Sequence, residues 1–233
     1  RGLLTRDECQ TIQDTVQTHY GMKRGETMME QDILSRNGSR VAWLNFTSQQ
    51  DDNDDDKEAV VLSSLMANMC CGMFVSTNIQ NAYNIVFERM QVVEYEKGGE
   101  FVMHHDANQR ILTVIYYLNG VGGTWFPLAS SSSSSYGLPQ TKQDAMDICK
   151  DFTPGRDGLL VAGSEYNVGQ EEGGEGDSKE KNAVVNIHPG DAIAFYNYRQ
   201  EQGGAVVDWR AIHAGLPTKK EKWIATHWLR VQG

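Results

Sequence analysis

Two imidazoles and a carboxylate stand side by side in "FVMHHDANQR", residues 101–110. That trio is the ligand set of a mononuclear non-haem iron site. The run before it, "QVVEYEKGGEFVM", has the period-two pattern of a strand. On a strand successive side chains point to opposite faces, so His104 and Asp106 point one way and His105 the other. Ligands of one metal must converge, which makes His104 and Asp106 the pair. An HxD pair by itself suits a hydrogen-bonded core histidine equally well, so the weight falls on what lies downstream.

Downstream stand His213 and, nine residues later, Lys222. A second strand histidine can complete a facial 2-His-1-carboxylate triad, which leaves three metal positions open. In an oxygenase using 2-oxoglutarate, the keto and C1-carboxylate oxygens take two of them. The C5-carboxylate then needs a cation several ångströms away on a rigid strand. Lys222 shares a strand face with Ile224, Thr226 and Trp228, while Trp223, Ala225 and His227 take the other. An ammonium beside an indole inside a barrel is costly unless an anion meets it. The alternative for Lys222 is a surface cluster with Lys219 and Lys220.

These residues need a scaffold, and the chain supplies signals for one. "LLTRDECQTIQDTVQTHYG" reads as a helix with Thr5 as N-cap, Glu8 closing a capping box, and Cys9, Ile12, Val16 and Tyr20 on one stripe. "DDNDDDKEAVVLSSLMANMCCGMF" reads as a second helix, its aspartates at the positive end of the dipole and Val61, Leu62, Leu65, Met66 and Met69 facing inward. "RVAWLNF" reads as a strand. From Asn84 onward short period-two runs alternate with Gly and Pro turns, the pattern of a jelly roll. The expected fold is mainly β with N-terminal helices packed on one sheet. The chain reads as one domain over 1–233, with a helical part over about 1–80 and a jelly-roll core over about 84–231. The serine tract at 130–135 and the Gly-rich segment 163–182 read as loops.

Thirty-one acidic against 21 basic residues give a net charge of −10, which argues against nucleic acid or an anionic membrane as partner. No apolar run reaches the roughly 18 residues of a membrane span. The opening "RGLLTRDEC" carries no initiator Met or signal-like stretch, so the chain reads as an excised catalytic domain whose targeting segment lies elsewhere. Sequons at Asn37 and Asn45 favour an endoplasmic reticulum or Golgi lumen. Cys70 or Cys71 could pair with Cys9 or Cys149.

Taken in order, "QVVEYEKGGEFVMHHD", "RILTVIYYL", "GGTWFP", "HPGDAIAFYN" and "IHAGLPTKKEKWIATHWL" resemble the catalytic domain of the prolyl 4-hydroxylase family. That family comprises Fe(II)- and 2-oxoglutarate-dependent dioxygenases on a double-stranded β-helix. The resemblance implies His104, Asp106 and His213 as iron ligands and Lys222 as partner of the C5-carboxylate. It implies Tyr95 and Thr124 beside that carboxylate, Trp228 as an active-site tryptophan and Arg110 as a contact to a peptide substrate. Three residues separate Asp106 from Arg110, fewer than relatives usually have, and Phe101 stands where they commonly have Tyr.

The implied reaction forms 4-hydroxyproline in a peptide or protein and releases succinate and carbon dioxide, with ascorbate rescuing oxidised iron. An arginine usually replaces Lys222 in the oxygen-sensing relatives, which sets this chain nearer the collagen and cell-wall type. The alternatives are hydroxylation of another residue or a small molecule, and a catalytically silent jelly-roll binding module. His105, His188 and His227 read as structural. Oligomeric state is not legible in the sequence.

Overall fold

The computed structural model describes residues 2–24, 36–44, 57–58, 61–68, 85–106, 108–129, 137–166 and 183–231. Asn45, Met69, Cys70, Cys71, the acidic run at 51–56, the serine tract and residues 167–182 lie outside them.

The chain enters through α1 (Arg6–Thr15), started by Thr5, whose side chain accepts from the Glu8 N–H while Glu8 reaches back to the Thr5 N–H. This is the expected capping box, and it satisfies two of the donors a helix start leaves open. The helix runs on through a π-helical turn at Val16–Tyr20 and stops at Gly21, whose φ of +59° suits glycine.

The first strands are the two-residue β1 (Lys23–Arg24) and the nine-residue β2 (Arg36–Leu44). The rest of the β structure comprises β3 (Ile85–Phe87), β4 (Met90–His104), β5 (Arg110–Tyr117), β6 (Gly123–Phe126), β7 (Leu159–Ala162), β8 (Ala183–Asn186), β9 (Ala192–Tyr196), β10 (Tyr198–Glu201), β11 (Gly204–Val207), β12 (His213–Leu216) and β13 (Lys222–Val231). One curled sheet runs β8-β7-β6-β12-β4-β13-β5-β9, with β2 also on β4 and β3 on β13. Every pair in it is antiparallel except β7 with β8.

The long β4 joins the two halves of the roll. Its first part pairs with β13 and β2, and its last part pairs with β12. Register breaks along β2 and β12 accompany the bend, as bulges do where a sheet folds over. This is the expected jelly roll. The strand expected from "RVAWLNF" is β2, which begins earlier, at Arg36, and joins the main sheet through β4.

Two cores follow from strand alternation. Trp223, Ala225 and Leu229 of β13 point outward and pack with Met90, Val92, Leu112 and Tyr116 against Ile12 of α1, Val16 of the π-helical turn, and Leu62 and Met66. The Tyr116 hydroxyl donates to the Met66 carbonyl at 3.0 Å, which ties helical residues 61–68 to the sheet. Val93, Ile115, Phe126, Val161 and Ile224 fill the inside of the roll.

The second helix turns differently from expectation. Val61 and Leu65 are 64% and 46% exposed, and its buried face is Leu62, Ser63, Met66 and Ala67. Five apolar side chains span more arc than one sheet contact can cover, so the helix rotates to the stripe that Tyr116 anchors.

Elements that did not show in the sequence include α2 (Lys142–Cys149), capped by Thr141 and Asp144, and the strands β7 and β11. Trp209–Ala211 is a 3-10 turn capped by the Asp208 side chain, just before β12. Cys9 and Cys149 are buried free thiols, each pushed up to about 11 by burial.

Candidate active site

Cross-strand register assembles the centre. His213 of β12 stands opposite His104 of β4, Lys222 of β13 opposite Tyr95 of β4, and Trp228 of β13 opposite Thr113 of β5. Gly215 of β12 pairs with Thr124 of β6 on one side and Phe101 of β4 on the other. Five strands thus deliver their inward-facing side chains to one polar hollow. Its wall includes His104, Asp106, His213, Tyr95, Thr124, Lys222, Trp228 and also Arg36.

The metal-ligating atoms of His104, Asp106 and His213 lie within 4.8 Å of one another. His104 Nε2 is 3.6 Å from Asp106 Oδ1, and His213 Nε2 is 3.9 Å from Asp106 Oδ2. Each imidazole turns Nδ1 to a backbone carbonyl two residues earlier, Val102 for His104 and Ala211 for His213, at 2.9 Å in both cases. A carbonyl only accepts, so Nδ1 carries the proton and the Nε2 lone pair faces the centre. Such partners hold ligating histidines in tautomer and orientation.

Burial, then the neighbouring His213, pushes His104 down to about 3 against the pull of Asp106, so the ring is neutral and free to ligate. Burial acts to raise the Asp106 pKa. The two imidazoles, the Trp228 N–H and Arg110 outweigh it, and the carboxyl sits below its ordinary range. Two imidazole nitrogens and one carboxylate with an open side suit Fe(II).

Lys222 is only 2% exposed. Its ammonium donates to the Gly123 carbonyl at 3.1 Å and lies 5.2 Å from the Tyr95 ring centroid. Burial holds it down to about 8, with Glu165 pulling the other way. A buried ammonium with one carbonyl partner among the described residues calls for an anion. Thr124 accepts from the Tyr117 hydroxyl at 2.8 Å, so its own O–H is left to donate into the hollow. Gly122, at φ +90°, makes room: a Cβ there would collide with Lys222 Cδ. The residues fit a dicarboxylate lying between the triad and Lys222.

Arg110 holds Glu88 through two bonds of 2.8 and 2.7 Å, with its guanidinium 3.9 Å over the Trp228 ring. Trp228 is 6.1 Å from Trp43, and Arg89 lies over Trp43 at 5.6 Å. On the other side Arg36 sits 4.2 Å over Phe101, which stacks on His104 at 3.6 Å. Aromatic rings alternating with guanidinium groups therefore lead outward from the triad.

His105 points away and bonds the Asp208 carbonyl at 2.9 Å, and His188 bonds Asp191. His227 is pushed down to about 3 by burial and meets Tyr116 edge-on in the outer core. A second cavity of about 520 Å³ is lined mainly by apolar side chains such as Val161, Val185 and Ile193, with Asp208 and Arg210 also in its wall, and its Phe126 and Phe195 pack on the His213 ring.

Every site residue expected from the sequence borders this hollow or, for Arg110, packs on a residue that does. Tyr117, Thr113, Asn197 and Arg36 were missed. A polar residue inside an otherwise apolar buried strand, as Thr113 is in "RILTVIYY", was the signal available.

A family model for the 2OG-Fe(II) oxygenase superfamily matches residues 90–230. The transmembrane prolyl 4-hydroxylase of Homo sapiens is 28% identical over 174 residues, covering 62% of this chain and 30% of that protein. Probable prolyl 4-hydroxylase 8 of Arabidopsis thaliana is 28% identical over 158 residues, covering 62% and 42%. The chain thus spans less than half the length of these curated relatives. Among solved structures, the viral collagen prolyl hydroxylase of Paramecium Bursaria Chlorella virus-1, in its 2OG complex, superposes with a TM-score of 0.55 at 16% identity, covering 100% of this chain and 94% of that one. A Trichoplax adhaerens prolyl hydroxylase, in complex with a hypoxia inducible factor peptide, gives 0.53 at 15%, covering 99% and 81%. At these identities the structural matches establish the shared fold.

Proposed function

Because the chain belongs to the 2OG-Fe(II) oxygenase superfamily, we propose that it is a dioxygenase that hydroxylates prolyl residues of a peptide or protein at C4. One observation carries the reading: three convergent ligand atoms within 4.8 Å and a buried ammonium border the same hollow. When bound, Fe(II) and 2-oxoglutarate supply the oxidation, coupling dioxygen reduction to release of succinate and carbon dioxide.

The protein's own residues do the rest. His104 and His213, fixed in the Nδ1–H tautomer, and Asp106 hold the metal. Lys222 meets the far carboxylate as a point charge, and Tyr95 and Thr124 donate to it from the neighbouring strands. Val93, Ile115 and Ile224 wall the hollow with apolar surface, which excludes water and strengthens each of those contacts. No side chain is needed as a general base, in keeping with the structural settings of His105 and His227.

For the substrate, the names of the relatives and the rim of the hollow point the same way. A proline-rich segment prefers the extended polyproline conformation and docks on aromatic surfaces. Trp43, half-buried beside Trp228, offers such a surface, and Arg110 stacks over the buried Trp228 ring with donors for peptide carbonyls. Ascorbate would serve to rescue oxidised iron. We propose a luminal setting, which the exposed sequon at Asn37 on β2 is compatible with; a glycosidase-sensitive gel shift of the protein expressed through the secretory pathway tests it.

The function is tested by succinate formation from 2-oxoglutarate with Fe(II) and ascorbate, with and without proline-rich peptides. Peptide-stimulated turnover with a mass gain of one oxygen on proline is the expected result, and His104→Ala abolishes it. Turnover that no proline peptide stimulates would keep the oxygenase and remove the prolyl assignment.

A further inference from the structure

The two oxygens of Asp106 have different surroundings. Oδ2 accepts from the Thr113 hydroxyl at 2.8 Å and from the Trp228 indole N–H at 3.1 Å. Oδ1 receives no hydrogen bond among the described residues and is the oxygen nearer His104 Nε2, at 3.6 Å. Behind Thr113 stands Asn197, fully buried, whose Nδ2 donates to the Thr113 oxygen at 2.9 Å. Asn197 is pinned on both sides, its N–H donating to the Ile111 carbonyl and its carbonyl accepting from the Asp208 N–H, each at 2.9 Å.

The direction of this chain of bonds is forced. An ionised carboxylate only accepts, so the single hydroxyl proton of Thr113 goes to Asp106, and a hydroxyl that gives its proton away can only accept from Asn197. Were the Asn197 amide turned over, its carbonyl would compete with Asp106 for that proton. The amide orientation that feeds Thr113 leaves Asn197 Oδ1 buried without a hydrogen-bond partner among the described residues. A buried acceptor left unmet is uncommon in folded proteins and asks for a reason.

We propose that Asn197 and Thr113 are positioning residues for the metal carboxylate: in series they engage Oδ2 and turn Oδ1 alone toward the metal. The inference rests on the iron-site reading above. Asn197, in the bend just after β9, and Thr113, in the middle of β5, belong to elements that carry none of the three ligands, so the register of β5 with β9 and β13 governs how the carboxylate meets its metal.

The test is Co(II) binding to the metal-free protein by calorimetry, with Co(II) as an air-stable stand-in for Fe(II). Thr113→Val and Asn197→Ala should each weaken binding by about 10–100-fold, the usual effect of removing a partner of a ligand. Thr113→Ser, which keeps the hydroxyl, should bind like the wild type. The double variant should be no weaker than Thr113→Val alone, because residues acting in series share one effect. Asn197→Asp, which keeps the shape and replaces the donor, should also weaken binding and carries the test where Asn197→Ala fails to fold. Wild-type affinity in Thr113→Val, affinity in Thr113→Ser as poor as in Thr113→Val, or additive losses in the double variant would each overturn the proposal. A wild-type protein that binds no Co(II) would instead remove the iron-site reading on which it stands.

Discussion

Lys222 stands directly opposite Tyr95 in the β13–β4 ladder, its ammonium 5.2 Å from the phenol ring and its stem lying along Gly122. The pairing sets the cation in the wall of the same hollow that the metal ligands border. Burial costs the charged form, so the folded protein holds this lysine at about 8 against an ordinary 10.5.

A pH dependence of cosubstrate binding follows. A lysine depressed on folding costs nothing above its unfolded pKa, and it carries the full cost of buried charge below the folded one. A dianion can recover that cost only where the ammonium is protonated. The dissociation constant of 2-oxoglutarate should therefore rise about tenfold between pH 7 and pH 9. Calorimetric titration at the two values reads it, and Lys222→Arg, whose guanidinium keeps its charge, should flatten the profile. A constant affinity across that range would mean the lysine is not the anchor.

Metal should stabilise the fold. At about 100 times its dissociation constant a bound ion adds about 2.7 kcal/mol. For a domain of this size that is a rise in Tm of about 5–10 °C. Melting curves with Mn(II) and with a chelator should show it in the wild type, and His213→Ala should erase the difference.

Gly122→Ala should hurt twice. The φ of +90° is strained for any residue with a Cβ, and that Cβ collides with the Lys222 stem. A loss of about 1–3 kcal/mol in stability is expected from the backbone. The KM for 2-oxoglutarate should rise more than kcat falls, because the displaced group is the anchor and not a metal ligand. Steady-state kinetics at varied 2-oxoglutarate separate the two.

Arg110→Lys keeps the charge but loses the two-pronged hold on Glu88 and the flat contact with Trp228. It should raise the KM for a proline-rich peptide at least about fivefold and leave 2-oxoglutarate binding unchanged. If cosubstrate affinity moves instead, Arg110 acts through Asp106 and not on the peptide.

Ile12→Ala tests the outer core independently of the site. Ile12 is fully buried between α1 and the sheet, and its truncation should cost about 2–5 kcal/mol in denaturant unfolding. The dissociation constant for Co(II) should stay where it was.

Period-two patterning paired His104 with Asp106 and put Lys222 and Trp228 on one face before any partner strand was known, while Tyr95, Thr124 and His213 were readable through the order of the family motifs. The same rule separated His105 from His104 and Trp223 from Lys222, and the structure keeps both separations. The capping box at Thr5 and Glu8 was equally local and equally readable.

What the tertiary structure decided is everything that depends on register between strands distant in sequence. That Thr113 meets Asp106, that Asn197 meets Thr113 across 84 residues, and that Arg36 overlies Phe101 follow from how β5, β9 and β2 slide against their neighbours. The rotation of the second helix, which exposes Val61 and Leu65, was decided by the sheet face it packs on. Hydrophobic pattern names the faces of an element, while only the packed sheet fixes which residue stands across from which.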